Sequence, residues 1–275
     1  FKNKLKKSYK EYFSKEVQDK LPSSYDIMGN IIIIEISDEL IEYEKQIGES
    51  LLKTHTSVKT ILKKSGIHSG EFRTQKLKYL VGINTKETEY KENGVIIKLD
   101  VELIYFSSRL STERKRIYNE INNDEEILVM FSGAAPYPVV LSKNTNARKI
   151  IGIEKNPVGH KYGLINLKLN KIKNVDLING DVIDIVPKLK QKFDRIIMPL
   201  PKDADTFLDI AFTVVRKGTI IHMYDFEHES ELDLGEKKVL DAAKKANINV
   251  KILKTVKCGQ YSPGKFRICI DFKIL

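Results

Sequence analysis

The stretch that decides the fold is Ile127–Glu154, ILVMFSGAAPYPVVLSKNTNARKIIGIE. It opens with an apolar run, Ile127–Phe131, whose length and composition predict a buried strand. The small residues SGAA form a loop after it, and Pro136 fits the first turn of a helix. A second apolar strand then ends at the acid Glu154. This order of strand, loop, helix, strand and acid is typical of a nucleotide-binding doubly wound sheet.

The loop after the first strand also restricts the ligand. Gly133 is the one glycine in a loop where a dinucleotide site would have three, and this argues against a bound pyrophosphate. A nucleoside without a pyrophosphate, such as S-adenosylmethionine, suits the loop better. Glu154 could accept hydrogen bonds from its ribose hydroxyls. The alternative from this stretch alone is an ordinary α/β turn without a ligand.

The charge of the chain indicates a polyanionic partner. The formal net charge is +10, and lysines crowd both ends of the sequence. Such an excess favours nucleic acid, although a lysine-rich surface without a ligand is the competing explanation. The apolar runs are only as long as strands, so we expect no transmembrane helix and no membrane partner.

The cysteines and histidines point to an intracellular protein without a metal. Two cysteines, Cys258 and Cys269, are too few to build a fold on disulfides, and reduced thiols are expected. The five histidines show no metal-ligand spacing. We therefore expect a cytoplasmic protein with no metal site, and we interpret His222 as a packed or edge residue and not as a catalyst.

Alternation of strand and helix patterns predicts three parts. Residues 1–23 form a basic helix, 24–112 a smaller α+β domain, and 113–275 the nucleotide-binding domain. Within the α+β part, the spacing of Val58, Ile61 and Leu62 predicts a helix, and Glu92-Asn93-Gly94 predicts a hairpin turn. The fold class is α/β, a class I methyltransferase (Rossmann-like) sheet with a terminal antiparallel strand pair, preceded by the α+β domain.

Four predicted strand ends carry polar or unusual residues: the Gly133 loop, Glu154, Asp181 and Pro199-Leu200-Pro201. In an open α/β sheet, ligands bind outside the carboxyl ends of the strands. These four ends therefore predict one ligand site.

Further motifs make the chain resemble a known family. They are Gly70-Glu71-Phe72-Arg73-Thr74, Tyr105-Phe106-Ser107-Ser108-Arg109-Leu110 with Glu113-Arg114, Met130-Phe131-Ser132-Gly133, Glu154-Lys155-Asn156-Pro157, Asn179-Gly180-Asp181, Leu200-Pro201-Lys202 and Tyr261-Ser262-Pro263-Gly264. In this order the chain resembles the archaeal and eukaryotic tRNA methyltransferases that act on N1 of guanosine 37. A relative within that family makes wybutosine by transferring the aminocarboxypropyl group instead.

The resemblance implies roles for three catalytic residues. Methylation of guanine N1 needs its proton removed while negative charge grows on O6. The family match makes Glu113 the general base and Arg73 the residue that stabilises O6, while Arg109 orients Glu113 or binds phosphate. Without the resemblance, Glu113 reads as a surface acid paired with Arg109 or Lys115.

The resemblance also implies a site for S-adenosylmethionine. Glu154 would bind the ribose, Asp181 the adenine amino group, and Tyr105 the methionine part, with Asp181 as a helix cap and Tyr105 as a core aromatic being the alternatives. The cofactor-binding residues expected in full are Tyr105, Phe131, Gly133, Pro136, Glu154, Asp181, Pro199 and Pro201. The partner would be the anticodon stem-loop of tRNA, bound by a monomer.

Three departures from the family pattern keep other functions open. Pro199 stands where methylating members have an asparagine that helps to hold the base, and Val129 stands where an acid is common. We expect the small N-terminal domain of family members to be mostly missing, either trimmed or naturally short, with residues 1–23 as its remnant or linker. Alternative functions are aminocarboxypropyl transfer, methylation of a wyosine intermediate at the same position, and non-catalytic tRNA binding.

Overall fold

The computed structural model describes residues 13–67, 69–200 and 202–275, which contain two larger sheets and one two-stranded sheet. The chain divides into two units, Phe1–Lys91 with Ile96–Ser108, and Glu92–Val95 with Arg109–Leu275. The border near Ser108 lies close to the predicted border at 112/113. Residues 1–12 of the predicted N-terminal helix lie outside the described residues, and the helix after them is short, Lys15–Gln18.

The first unit is built on a four-stranded sheet with the order β1-β2-β3-β4. Its strands are β1 Tyr25–Met28, β2 Ile31–Ile34, β3 Thr60–Lys64 and β4 Leu77–Gly82. All four isoleucines of β2 are buried, as expected for a strand covered on both faces. A 3₁₀ helix, Asp38–Tyr43, and the α-helix Glu44–Thr54 cover the sheet, where Gly48 lies against Val81 with no room for a Cβ.

The helix predicted from Val58, Ile61 and Leu62 is wrong. Thr60–Lys64 is a strand, parallel to β2 on one side and antiparallel to β4 on the other. Because Thr60, Ile61 and Leu62 are all buried, the strand lacks the alternation of polar and apolar residues that identifies a half-buried strand. Its apolar residues then fit a helical spacing by accident.

The hairpin predicted at Glu92-Asn93-Gly94 is confirmed. Strands β5 Glu87–Glu92 and β6 Val95–Asp100 form a two-stranded sheet. Asn93 and Gly94 have φ of 44° and 75°, the left-handed pair that a two-residue hairpin turn requires. The turn, Glu92–Val95, belongs to the second unit, where the Asn93 carbonyl accepts a hydrogen bond from Asn144 Nδ2 at 3.0 Å.

A seven-stranded sheet with the order β12-β13-β11-β10-β7-β8-β9 forms the second unit. Its strands are β7 Glu126–Val129, β8 Lys149–Glu154, β9 Val175–Asn179, β10 Phe193–Met198, β11 Val215–His228, β12 Val250–Ser262 and β13 Lys265–Ile274. Strands β9, β8, β7, β10 and β11 run parallel to one another, while β13 is antiparallel to both β11 and β12. The α/β prediction is confirmed, with β13 inside the sheet and β12 at its edge.

The strand order creates a switch point between β7 and β10. From β7 the chain proceeds through β8 and β9 on one side, then crosses to β10 on the other. The carboxyl ends of β7 and β10 therefore leave a crevice between diverging connections. Leu128 and Met130 pack into one core and Ile127 and Val129 into the other, so β7 is buried on both faces.

Some helices of the second unit agree with the prediction from sequence, and others differ from it. They are Ser111–Tyr118, Pro136–Asn144, Pro157–Leu169, Val182–Ile185, Leu208–Phe212 and Asp233–Lys245, with 3₁₀ turns at Ser108–Leu110, Val186–Lys188, Ala204–Phe207 and Glu229–Glu231. Pro136 and Pro157 begin their helices as predicted. The single helix predicted near 204–215 is a 3₁₀ turn followed by five α-helical residues. Among the described residues, no helix is long and apolar enough to cross a bilayer.

Candidate cofactor and catalytic site

The loop between β7 and the helix Pro136–Asn144 has an unusual backbone. Phe131, Gly133 and Ala135 have φ of 57°, 57° and 63°, in the left-handed region that favours glycine. Two of these three residues carry a side chain there, a conformation that costs roughly 1–3 kcal/mol each. Strain of this kind clusters at ligand-binding sites. The loop is therefore a candidate ligand-binding site.

Glu154 contacts this loop directly. Its Oε2 accepts a hydrogen bond from the Gly133 amide at 2.6 Å, and its Oε1 accepts one from the Asn156 amide at 2.7 Å. Burial raises the pKa of the Glu154 carboxyl above its usual value, although both amides act in the opposite direction. Each carboxylate oxygen has a second lone pair, so Glu154 can still accept hydrogen bonds from ligand hydroxyls.

A glycine and an asparagine of the helix Pro157–Leu169 pack against the loop and Glu154. A Cβ at Gly159 would lie 3.2 Å from Glu154 Cγ and 3.5 Å from the Gly133 carbonyl carbon. Asn166 is fully buried, and its Nδ2 donates to the Ala134 carbonyl at 2.9 Å. Neither Gly159 nor Asn166 was among the residues predicted for the site. A glycine and an asparagine on the apolar side of an otherwise regular helix were the available signal.

Asp181 has the alternative role that the sequence left open. Its Oδ1 accepts a hydrogen bond from the Ile183 amide at 3.0 Å, which caps the short helix after β9. Lys155 Nζ lies 2.7 Å from Oδ2. The Lys155 ammonium, together with the Ile183 amide, lowers the pKa of the Asp181 carboxyl. Binding of an adenine amino group by Asp181 stays a prediction.

Pro199 and Leu200 follow β10 at the switch point. Both are half-buried, and the Leu200 amide donates to the Met198 carbonyl at 2.8 Å. Pro201 lies outside the described residues. Since Pro199 has no side-chain donor, hydrogen bonds to a ligand at this strand end must come from backbone atoms or from other residues.

Glu113 is buried and ion-paired on the helix Ser111–Tyr118. Only 5% of its surface is exposed. Its carboxylate accepts hydrogen bonds from Arg116 Nη2 at 2.6 Å and Nε at 2.8 Å, and from the Tyr224 hydroxyl at 2.7 Å. Arg116 is its partner, rather than the Arg109 or Lys115 that the sequence suggested. Burial acts to raise the pKa of Glu113, but Arg116 and Tyr224 outweigh it and the pKa lies below its usual value.

The ion pair of Glu113 continues into a chain of buried charges. Arg116 Nη1 donates to Asp271 Oδ2 at 2.5 Å, and Asp271 Oδ1 lies 2.6 Å from His222 Nδ1. Arg195 Nη1 is 2.7 Å from His222 Nε2 and pairs through Nε with Glu125 at 2.7 Å. Burial lowers the pKa of His222, so the ring is neutral and can donate from Nδ1 and accept at Nε2.

By distance alone, His222, Cys269 and Asp271 could hold a metal, because their donor atoms lie within 4.8 Å of one another. However, the guanidinium groups of Arg116 and Arg195 already donate to Asp271 and His222. A cation there would lie against two positive charges. We therefore assign these residues to the buried charge network. Cys258 and Cys269 are free thiols, as expected.

The remaining predicted residues lie in or near loops. Arg73 belongs to the first unit, in a tight turn with φ of 51° where its amide donates to the Gly70 carbonyl at 3.1 Å. Tyr105 belongs to the same unit and is half-buried. Arg109 belongs to the second unit and is exposed on the 3₁₀ turn before the helix of Glu113. Of the predicted site residues, Gly133 and Glu154 are in direct contact. Glu113 forms its ion pair with Arg116 and not with Arg109.

Comparison with known proteins identifies the family. The TRM5/TYW2 methyltransferase domain matches residues 88–252, and the TYW2 N-terminal domain matches residues 5–85. The chain belongs to the TRM5/TYW2 family. This confirms the resemblance drawn from the motifs.

Two relatives in the family are named for different sets of substrates. Trm5b of Pyrococcus abyssi, a tRNA (guanine(37)-N(1))-methyltransferase, is 38% identical over 97% of this chain and 80% of its own length. Its crystal structure has a TM-score of 0.87 to this chain. Taw22 of Nanoarchaeum equitans, a tRNA (guanine(37)-N(1))/4-demethylwyosine(37)-methyltransferase, is 34% identical over 92% of this chain and all of its own length.

Two similar solved structures are named for a bound tRNA or a bound cofactor. A complex of aTrm5 with tRNALeu is 31% identical, covers 98% of this chain and 78% of the aTrm5 chain, and has a TM-score of 0.85. TYW2 of Methanocaldococcus jannaschii, solved with AdoMet, is 26% identical over 92% of this chain and all of its own, with a TM-score of 0.70. The chain is therefore similar to proteins that bind each of the two expected ligands.

Proposed function

We propose that this protein is an S-adenosylmethionine-dependent methyltransferase that modifies N1 of guanosine 37 in tRNA. The observation that carries the proposal is the contact of Glu154 with the strained Gly133 loop at the switch point of the sheet. The family membership supplies the substrate class, because relatives with this activity cover nearly the whole chain. We further propose that a cytoplasmic monomer binds the anticodon stem-loop.

The residues present fit the cofactor. Gly159 leaves open a space beside Glu154 and Gly133 that a Cβ would fill. Glu154 would bind the ribose, Asp181 the adenine amino group, and Tyr105 the methionine part. Phe131, Gly133, Pro136, Pro199 and Pro201 would line the rest of the site. When bound, S-adenosylmethionine supplies an electrophilic methyl carbon.

The chain's own residues would prepare the nucleophile. Glu113 would accept the N1 proton of guanine, and Arg73 would stabilise the negative charge that grows on O6. Arg109 would orient Glu113 or bind phosphate. A carboxylate that is ionised at neutral pH can accept this proton, and the low pKa of Glu113 keeps it ionised. The same low pKa limits its strength as a base, so positioning must supply much of the acceleration.

Pro199 favours a second candidate substrate. Without the asparagine of methylating members, the target base has no side-chain donor at the end of β10, and a larger tricyclic base could be held by packing. Methylation of a wyosine intermediate is therefore the second candidate. Aminocarboxypropyl transfer is the third, since it uses the same cofactor and tRNA position.

The test uses an unmodified tRNA transcript with guanosine 37 and S-adenosylmethionine. After reaction, the tRNA is digested and its nucleosides are weighed by mass spectrometry. We expect N1-methylguanosine from the wild-type protein, and a rate about 10²- to 10⁴-fold lower from Glu113→Gln. Glu229→Gln is the matched control, because Glu229 is an exposed acid in the same unit, paired with Lys257.

Each other outcome changes a specific part of the proposal. If Glu113→Gln reacts at the wild-type rate, Glu113 is not the base. Product only on tRNA that carries the tricyclic base would favour the wyosine substrate, and the added mass would distinguish a methyl from an aminocarboxypropyl group. Binding of tRNA with no product on either substrate would contradict an enzymatic function.

A further inference from the structure

We propose that Arg116 and Tyr224 are positioning residues for Glu113, which they hold in one orientation as an ionised carboxylate. The inference rests on the proposed role of Glu113 as the base. Neither residue belongs to the motifs that led to the family. Their role follows from the geometry around the Glu113 carboxylate.

Three hydrogen bonds fix the carboxylate of Glu113. Oε1 accepts from Arg116 Nη2 at 2.6 Å and from the Tyr224 hydroxyl at 2.7 Å. Oε2 accepts from Arg116 Nε at 2.8 Å. The two Arg116 contacts are bidentate and set the plane of the carboxylate, while Tyr224 approaches from β11. A carboxylate bound on both oxygens and from two elements has little freedom to rotate.

Arg116 is itself held in place. Its guanidinium donates to Asp271 on β13 and to Glu120 just beyond its own helix, at 2.5 and 2.9 Å. Asp271 in turn contacts His222 on β11 at 2.6 Å. Tyr224 is also fixed, because its hydroxyl lies 2.7 Å from the Tyr137 hydroxyl. The orientation of Glu113 is therefore set by four elements of the second unit.

Titratable groups lie around Glu113 on its own helix, on three strands and on the helix Pro136–Asn144. Arg116 faces it from its own helix, Tyr224 from β11, Cys258 from β12, and Cys269 with Asp271 from β13. Tyr137 faces it from the helix Pro136–Asn144. Burial raises the pKa values of both thiols and both phenols, so these groups are neutral at pH 7. Arg116 is thus the cation next to Glu113, and Asp271 the anion behind it.

The first test measures the pKa of Glu113 directly. Protein labelled with ¹³C at glutamate Cδ is titrated by NMR, and the Glu113 signal is assigned by its loss in Glu113→Gln. Tyr224→Phe removes one donor without changing packing volume, and we expect the midpoint to rise by about one pH unit. Arg116→Gln removes the cation, and we expect a rise of about one to three units.

The second test measures what positioning does for the reaction. In Tyr224→Phe we expect kcat to fall roughly tenfold, the equivalent of one hydrogen bond to a charged group, while KM for tRNA stays unchanged. Arg116→Lys keeps the positive charge but not the bidentate contact. Its Glu113 midpoint should therefore lie closer to that of the wild type than to that of Arg116→Gln, while its kcat stays low. Arg216→Met is the control, because its pair with Asp194 is exposed on the same sheet.

The outcomes separate this inference from the proposed function. An unchanged Glu113 midpoint in folded Tyr224→Phe and Arg116→Gln, or an equal change in Arg216→Met, overturns the inference. The NMR titration needs no turnover, so it stands whether or not the wild-type protein methylates guanosine 37. Circular dichroism shows which variants are folded, and Tyr224→Phe keeps the test usable if Arg116→Gln unfolds.

Discussion

Replacing Asp271 by asparagine is expected to destabilise the second unit strongly. Asp271 is 1% exposed and accepts hydrogen bonds from Arg116 and His222. Asparagine keeps its shape but removes the negative charge, so Arg116 loses one of its three acidic partners. Breaking a buried ion pair on one side costs about 3–5 kcal/mol. Because Arg116 keeps Glu113 and Glu120, we expect the lower end, about 3 kcal/mol.

The measurement is urea-induced unfolding followed by circular dichroism, since the chain has no tryptophan to report by fluorescence. Amide hydrogen exchange of β13 isolates the second unit from the first. Asp176→Asn is the control, because Asp176 pairs with Lys149 on the surface and should change stability by less than about 1 kcal/mol.

The pH dependence gives an independent check on Asp271. Burial acts to raise its pKa, but His222 and Arg116 lower it well below its usual value. Its contribution is therefore present above the unfolded pKa of about 3.9 and is lost as the pH falls towards the folded value. Asp271→Asn should lack this acid-dependent part of the stability. If the variant matches the wild type within about 1 kcal/mol at pH 7, the reasoning about buried charges here is refuted.

Three further predictions concern the site and its surroundings. Gly159→Ala should weaken S-adenosylmethionine binding measured by calorimetry, roughly tenfold for a shift of a few tenths of an ångström at Glu154, whereas Gly94→Ala, where a Cβ would meet nothing within 4 Å, should leave that binding unchanged. Arg114→Met should destabilise the second unit by about 3–5 kcal/mol in urea, because it leaves the carboxylate of Glu92 buried without that cation; a loss below about 1 kcal/mol would contradict this. Ala135→Gly should relieve the strain of the left-handed backbone, but it also raises the entropy of the unfolded chain. We therefore expect the free energy of unfolding in urea to change by less than about 1 kcal/mol. A larger loss would contradict this and show that the Ala135 Cβ contributes to packing.

Local sequence patterns predicted the parts of the fold that are built from neighbouring residues. The strand before Gly133, the helix starting at Pro136, and the Asn93-Gly94 turn all follow from steric preferences of a few residues. Strand β3 did not follow, because a strand buried on both faces has no alternation to detect.

The spacing of residues along the chain could not predict most of the partners of the site residues. Glu113 and Arg116 are three residues apart and could have been paired from the helix period. Tyr224, however, lies 111 residues from Glu113, and Asp271 lies 155 residues from Arg116. Only the strand order of the sheet brings them together. Family resemblance supplied candidate roles for Glu113 and Glu154, but not the groups that control their charge and orientation.

The position of β13 inside the sheet affects how the protein folds during synthesis. Arg116 leaves the ribosome 155 residues before Asp271. At about 5–20 residues per second, this delay is on the order of 10 to 30 s. From the completion of β11 at His228 until β13 begins at Lys265, one edge of β11 is unpaired, and throughout the whole delay Arg116 cannot be buried beside Asp271. The nascent second unit therefore presents an unpaired strand edge, a feature that favours aggregation, until β13 inserts between β11 and β12.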